Sequence, residues 1–239
     1  MPSPGSIEED TISLTFLSQP RLLKSNDSLC SELELLEGHE HYLILGDPGS
    51  GKTTTIKRLI REVLFRQPRN NADTFQYPVI IRLRDVNENS GIIKMIADYL
   101  GIRYEQIELK DGVELRVGNS LLSTVIIDFL NQTDAIVFLD GVDEIIASMQ
   151  AKSRKEIASL VFALNRSKLI LSCRKGENDL LLEGVSVLEM APLTTEQTHS
   201  IATIWMKDTT PFLTALQDCP YCDVVDRPLL LAWISTARS

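Results

Sequence analysis

The chain has 239 residues, 44% hydrophobic and 24% charged, enough for one large α/β domain or one domain with part of another. Its net charge of −9 argues against a broad basic surface for nucleic acid, so nucleic acid is not indicated as a partner. No apolar run approaches the roughly 18 residues of a membrane helix and no charged-then-apolar leader is present, which together with four cysteines read as reduced thiols points to a cytoplasmic setting.

Residues 1–35 read as an N-terminal leader or linker, beginning "MPSPGS". Within it, "LTFLSQPRLL" (14–23) suits either an adenine-side role or docking to an effector. The apolar run "YLIL" (42–45) then leads directly into "GDPGSGKTTT" (46–55). This stretch fits G-x-x-x-x-G-K-[ST], with Gly46, Gly51, Lys52 and Thr53 in the fixed places. Such a loop turns successive backbone N–H groups toward phosphate oxygens, and the helix that follows adds its positive dipole end. Lys52 would reach the β- and γ-phosphates and the Thr53 hydroxyl would hold Mg²⁺. Chance produces the four-residue pattern in about one chain in a hundred of this length. The context removes that alternative: Ile56, Leu59, Ile60, Val63 and Leu64 recur at helical spacing until "QP" at 67–68, so strand, loop and helix come in the required order.

From residue 77 the pattern alternates between strands and helices, which predicts a mainly parallel sheet covered on both faces. "YPVIIRL" (77–83) is a strand, and "NSGIIKMIADYL" (89–100) a helix with Asn89 or Ser90 as its N-cap. Residues 101–118 lack a period and predict a loop or small hairpin. "NSLLSTVIIDFLN" (119–131) is an amphipathic helix carrying Leu121, Leu122, Val125, Ile126, Phe129 and Leu130. "AIVFLDGVDE" (135–144), "KLILSC" (168–173) and "VSVLEM" (185–190) contain buried strands, for five strands in all. Strands cease after Ala191, where Thr194 and Gln197 form a capping-box pattern at the start of "TTEQTHSIATIWM" (194–206). "RPLLLAWISTA" opens with Pro228, which a first helical turn tolerates.

Asp140 stands at the C-terminal end of an apolar strand, the edge of an open α/β sheet where ligands bind and where Mg²⁺ finds an oxygen ligand. Gly141 occupies the place where many ATPases carry a glutamate, so a water-polarising carboxylate must be Asp143 or Glu144. A solvated turn after a strand is the competing account, and the shared metal with the phosphate loop outweighs it. Arg174, just past another strand end, is placed to sense the γ-phosphate or to stabilise charge during transfer. "CPYC" (219–222) lacks a second cysteine pair or matching histidines, and is read as structural cysteine.

"GDPGSGKTT", "PVIIRLRDV", "IVFLDGVDE", "LILSCR" and "LEMAPLTTEQ" occur in the order and spacing of NACHT-type NTPases of the STAND class of signalling ATPases, which residues 36–239 resemble. The resemblance implies a P-loop NTPase core over 36–190, with a five-stranded sheet in which another strand lies between the phosphate-loop strand and the Asp140 strand, and the beginning of a helical lid domain over 191–239. It makes Gly46, Asp47, Pro48, Gly49, Ser50, Gly51, Lys52, Thr53 and Thr54 the phosphate cradle, with Thr53 and Asp140 at the magnesium. Asp143 and Glu144 become the extended acidic pair, Arg174 a sensor, and Pro228 a contact for adenine. The "L-R-D" segment with Arg82, Arg84 and Asp85 suits ring contacts or an ordinary solvated strand end. Family members continue into a winged-helix segment and a repeat-built sensor, and carry effector domains, so the chain resembles an excised core.

The resemblance implies an ATP- or ADP-binding switch of low turnover that self-assembles on activation, in antiphage defence or innate immunity. Its rivals differ in class. A GTPase needs an N-K-x-D motif, which "NRSKL" (165–169) does not supply, and a transport ATPase needs an L-S-G-G-Q-like signature, which is absent. An AAA+-like motor or loader shares the core and is the enzyme alternative. A nucleotide-free scaffold is disfavoured by the intact Lys52, Thr53 and Asp140.

Overall fold

The computed structural model describes residues 15–18, 29–65, 76–102, 107–108, 114–115, 119–176, 182–205, 209–210, 214 and 228. In chain order the strands are β1 (Thr15–Ser18), β2 (Leu29–Ser31), β3 (His41–Gly46), β4 (Pro78–Arg82), β5 (Ile107–Glu108), β6 (Glu114–Leu115), β7 (Ile136–Asp140), β8 (Lys168–Arg174) and β9 (Val185–Met190). The helices are α1 (Lys52–Phe65), α2 (Ile92–Tyr99), α3 (Asn119–Gln132), α4 (Ala147–Ala163) and α5 (Thr195–Trp205).

Seven strands form the main sheet in the order β2-β1-β9-β3-β8-β7-β4. The five from β9 to β4 run parallel, as the alternating pattern predicts, and β8 lies between the phosphate-loop strand β3 and the Asp140 strand β7. The antiparallel pair β1 and β2 extends the sheet beyond β9, with Phe16 opposite Met190. That extension is not visible in the hydrophobic pattern. The expected small hairpin within 101–118 is the two-stranded β5–β6 pair.

The central strands are buried on both faces, which is why they read as continuous apolar runs and not as alternating ones. Leu43, Val79, Ile81, Val137, Leu139, Leu169 and Leu171 pack with Ile92 and Ile96 of α2, Ile126 and Leu130 of α3, and Ile157 and Leu160 of α4. Ile44, Ile136, Phe138, Ile170 and Leu188 pack with Ile56, Leu59 and Val63 of α1, with Ala202 of α5, and with Leu35 and Leu36. The result is a three-layer α/β/α arrangement. Each such fully buried side chain contributes about 1.5–3 kcal/mol. Buried polar groups tie the approach to β3 into this core: Glu32 accepts from Thr55 Oγ1 at 3.3 Å and pairs with Arg58 Nε at 3.3 Å, and Lys168 Nζ donates to the carbonyls of Leu35 and Glu37.

Three expectations need correction. Of the six apolar residues named in α3, Leu122, Ile126 and Leu130 are buried, while Leu121, Val125 and Phe129 face outward. One sheet face accepts a single stripe of the helix, so a helix apolar on two sides buries one of them. In α1 Leu64 is likewise exposed. Helix α2 is capped neither by Asn89 nor by Ser90, whose backbone N–H groups are held by Asn87 Oδ1; Gly91 is the N-cap residue, and Glu156 Oε2 of α4 accepts the Ile92 N–H at 2.6 Å. The capping box at α5 forms as expected, Thr194 N–H donating to Gln197 Oε1 and Gln197 N–H to Thr194 Oγ1.

Candidate phosphate and metal site

Parallel pairing brings the C-terminal ends of all five strands to one edge, and the register places Gly46 beside Arg174 and Arg82 beside Asp140. The connections that leave the adjacent strands β3 and β8 run in opposite directions across the sheet, to β4 and to β9, and open α/β sheets leave a crevice at such a point. Residues 47–51 form the loop between β3 and α1 there. Gly51 has φ 99°, a conformation that side-chain-bearing residues rarely adopt, and this lets the chain turn into α1 at Lys52.

Lys52 curls back over the loop, its Nζ donating to the carbonyls of Gly46 at 2.7 Å and Asp47 at 3.0 Å. Burial pushes its ammonium below the ordinary lysine value, with Asp143 opposing that shift and Arg174 adding to it. Ser50 Oγ is buried with no hydrogen-bond partner among the described residues, an orphaned polar atom inside the loop. A loop with an inward lysine, an unpartnered hydroxyl and a helix N-terminus fits an oxyanion group.

Thr53 Oγ1 lies 3.0 and 3.3 Å from the two carboxylate oxygens of Asp140. Two oxygens bound side by side at about 2.1 Å on octahedral Mg²⁺ stand about 3 Å apart, so this spacing fits a shared cation. No cluster of three or more histidine, cysteine, aspartate or glutamate side chains suited to a metal occurs among the described residues. The pair fits a hard ion held by few protein ligands and completed by phosphate and water.

Ser172, not anticipated from the sequence, sets the carboxylate in place. It is buried in β8, and its hydroxyl donates to Asp140 Oδ1 at 2.6 Å while accepting the Gly141 N–H at 2.9 Å. A lone serine inside the apolar run "LILSC" was the available signal. Gly141 has φ 82° and ψ 60°, and this left-handed turn starts the short 3-10 helix Val142–Glu144 that carries the acidic pair. Asp143 accepts the Arg174 N–H and lies 2.9 Å from Arg174 Nε, whereas Glu144 is half exposed and 4.0 Å from Arg174 Nη2. The buried Cys173 thiol, beside Asp143, is pushed up to about 11, mainly by burial.

Asp47, Pro48, Gly49 and Thr54 complete the loop and first turn around these groups. Pro228 is helical and half-buried, with its sequence neighbours outside the described residues, as is the Cys219–Cys222 pair. Arg84 and Asp85 form an exposed ion pair at 3.8 Å, the solvated strand end weighed above.

The NACHT domain model matches residues 40–209. The chain belongs to the NACHT domain family. It is thus a P-loop NTPase, as its resemblance in sequence implied. No curated protein matches the chain. Among solved structures, the signal transduction ATPase with numerous domains (STAND) that carries a tetratricopeptide repeat sensor, from Pyrococcus horikoshii, superposes with a TM-score of 0.51 at 21% identity over 84% of this chain and 28% of that one. The Walker-type ATPase of Pyrococcus abyssi gives 0.51 at 14% identity over 85% of this chain and 64% of that one. Drosophila ORC bound to DNA gives 0.51 at 14% identity over 84% and 52%. At such identities the likeness is one of fold. The NACHT chain spans just over a quarter of the STAND protein and under two thirds of the other two. No described helix is long and apolar enough to cross a membrane.

Proposed function

We propose that this chain is the nucleotide-reading core of a cytoplasmic regulatory switch, which binds ATP or ADP with Mg²⁺, hydrolyses ATP slowly and self-assembles in the triphosphate state. One observation carries the reading: Lys52 and Thr53 of the first turn of α1 come together with Asp140 and Arg174, at the ends of β7 and β8, on one edge of the sheet. A bound Mg²⁺ would neutralise charge on the phosphate oxygens. Lys52 and the loop N–H groups would hold the β- and γ-phosphates, and Thr53 and Asp140 the cation. Arg174 would meet charge on the γ-phosphate, one carboxylate of the acidic pair Asp143 and Glu144 would orient water, and Pro228 would lie against adenine.

The half-exposed Arg174, held at Nε by Asp143, supports a switch, because its remaining donors can register a γ-phosphate while the pair stays intact. Defence or immune signalling, with effector and sensor domains as partners, is carried by the family resemblance. The test is to denature the purified protein and identify any released nucleotide by chromatography, then to measure turnover. Retained ADP with slow hydrolysis supports the switch, and rapid turnover of ATP without a trigger overturns it. Lys52→Ala is expected to abolish tight triphosphate binding.

A further inference from the structure

Asp143 and Glu144 are adjacent in sequence but stand in different surroundings. The Asp143 side chain is 6% exposed, and both its oxygens are engaged by one residue: Oδ1 accepts the Arg174 backbone N–H at 2.9 Å, and Oδ2 lies 2.9 Å from Arg174 Nε. Cys173 adds its thiol on the same side. Glu144 is 41% exposed and no closer than 4.0 Å to that guanidinium, beyond hydrogen-bond reach. A carboxylate that orients water needs a lone pair open to water. Glu144 meets that requirement, while Asp143 spends its oxygens on the end of β8.

We propose that Asp143 is a positioning residue: it holds the Arg174 guanidinium by Nε, leaving the Nη donors for a γ-phosphate and Glu144 as the carboxylate that orients water. The assignment rests on the reading of the chain as an ATP-hydrolysing switch. Its geometry follows from chemistry. Arginine presents its donors in a rigid planar fork, so a carboxylate fixed on Nε sets where both Nη groups point. The guanidinium remains half exposed, and its Nη groups make no hydrogen bond among the described residues, so they are available to a ligand at the loop. The added bond from the Arg174 N–H to Asp143 also fastens the C-terminal end of β8 to the turn after β7. The sensor and the acidic turn thereby move as one body.

The experiment compares the 239-residue chain with Asp143→Asn, Arg174→Met, the double variant, Glu144→Gln and Lys52→Ala. The readouts are Mg²⁺-ATP and Mg²⁺-ADP affinity, single-turnover hydrolysis and the unfolding midpoint of the nucleotide-free protein. Asp143→Asn and Arg174→Met are each expected to cut the preference for ATP over ADP about tenfold, with the double variant no worse than either, because the two act as a unit. Each single change lowers the nucleotide-free midpoint by about 3 °C, again without additivity. Glu144→Gln keeps the ATP preference and slows hydrolysis about a hundredfold. A purely structural Asp143 would lower the midpoint and leave the ATP-to-ADP ratio alone. Asp143→Asn with full ATP preference and arrested hydrolysis would make Asp143 the water-orienting group and overturn the assignment. Additive effects of Asp143→Asn and Arg174→Met overturn it too. Failure of the unsubstituted chain to bind either nucleotide, or unchanged binding by Lys52→Ala, overturns the underlying ATPase reading instead.

Discussion

The Ser172 hydroxyl sits 2.6 Å from Asp140 Oδ1 and accepts the N–H of the next residue, Gly141, so one buried side chain fixes both the carboxylate and the turn that follows it. Outer partners of this kind orient metal ligands. Ser172→Ala is expected to weaken Mg²⁺-dependent nucleotide binding by about tenfold to a hundredfold. It also leaves the Gly141 N–H unpaired, at a cost of about 1–3 kcal/mol in stability. Titrating Mg²⁺ against a fluorescent nucleotide reads the first effect and thermal unfolding the second. An unchanged Mg²⁺ requirement would mean that Asp140 is held without Ser172.

Helix α2 depends on a carboxylate that lies far away in sequence. Glu156 accepts the Ile92 N–H at the positive end of that helix, at 2.6 Å. Removing a cap costs about 1–2 kcal/mol, or roughly 3–6 °C in a domain of this size. Glu156→Ala should show this loss, and Glu156→Gln a smaller one, since the amide oxygen still accepts but carries no charge for the helix dipole. Equal loss in both would assign the effect to charge alone.

His41 makes the fold sensitive to mild acid. Its Nδ1 accepts the Leu169 N–H and its Nε2 lies 3.1 Å from the Val161 carbonyl, which fixes the neutral Nε2–H form. Burial lowers its pKa from 6.5, the Val161 and Leu164 carbonyls oppose that shift, and Lys168 adds to it. The unfolded chain therefore binds a proton that the native one refuses. Stability falls as pH drops through 6.5 toward the folded value, and levels off below it. Denaturation midpoints between about pH 7.5 and 5.5 should decline, and His41→Gln should flatten that decline.

Cys173 is buried, and its thiol is pushed up to about 11. Thiolate is the reactive form, so iodoacetamide at pH 8 should leave Cys173 unlabelled in the native protein and label it on unfolding, as mass spectrometry would show. Because the folded value lies above the ordinary 9.0, its contribution to stability is whole below pH 9 and is lost as pH rises toward 11. Rapid native labelling would count against the burial.

Short-range patterns in the sequence determined the phosphate loop, the five parallel strands, the α5 capping box and the placing of Asp140 and Arg174 at strand ends, because each is written in residues close together along the chain. Resemblance of five ordered motifs added the family. Tertiary structure decided the rest: Thr53 meets Asp140 across 87 positions, Ser172 meets Asp140 across 32, and Glu156 caps α2 across 64. Those contacts depend on sheet register and helix packing, which no local window carries. For the same reason α3, apolar on two sides, left open which stripe would be buried, and the sheet chose Leu122, Ile126 and Leu130. Asp143 and Glu144 were equivalent in the sequence, and became different only when β8 set Arg174 against one of them, since burial and pairing are properties of neighbours in space.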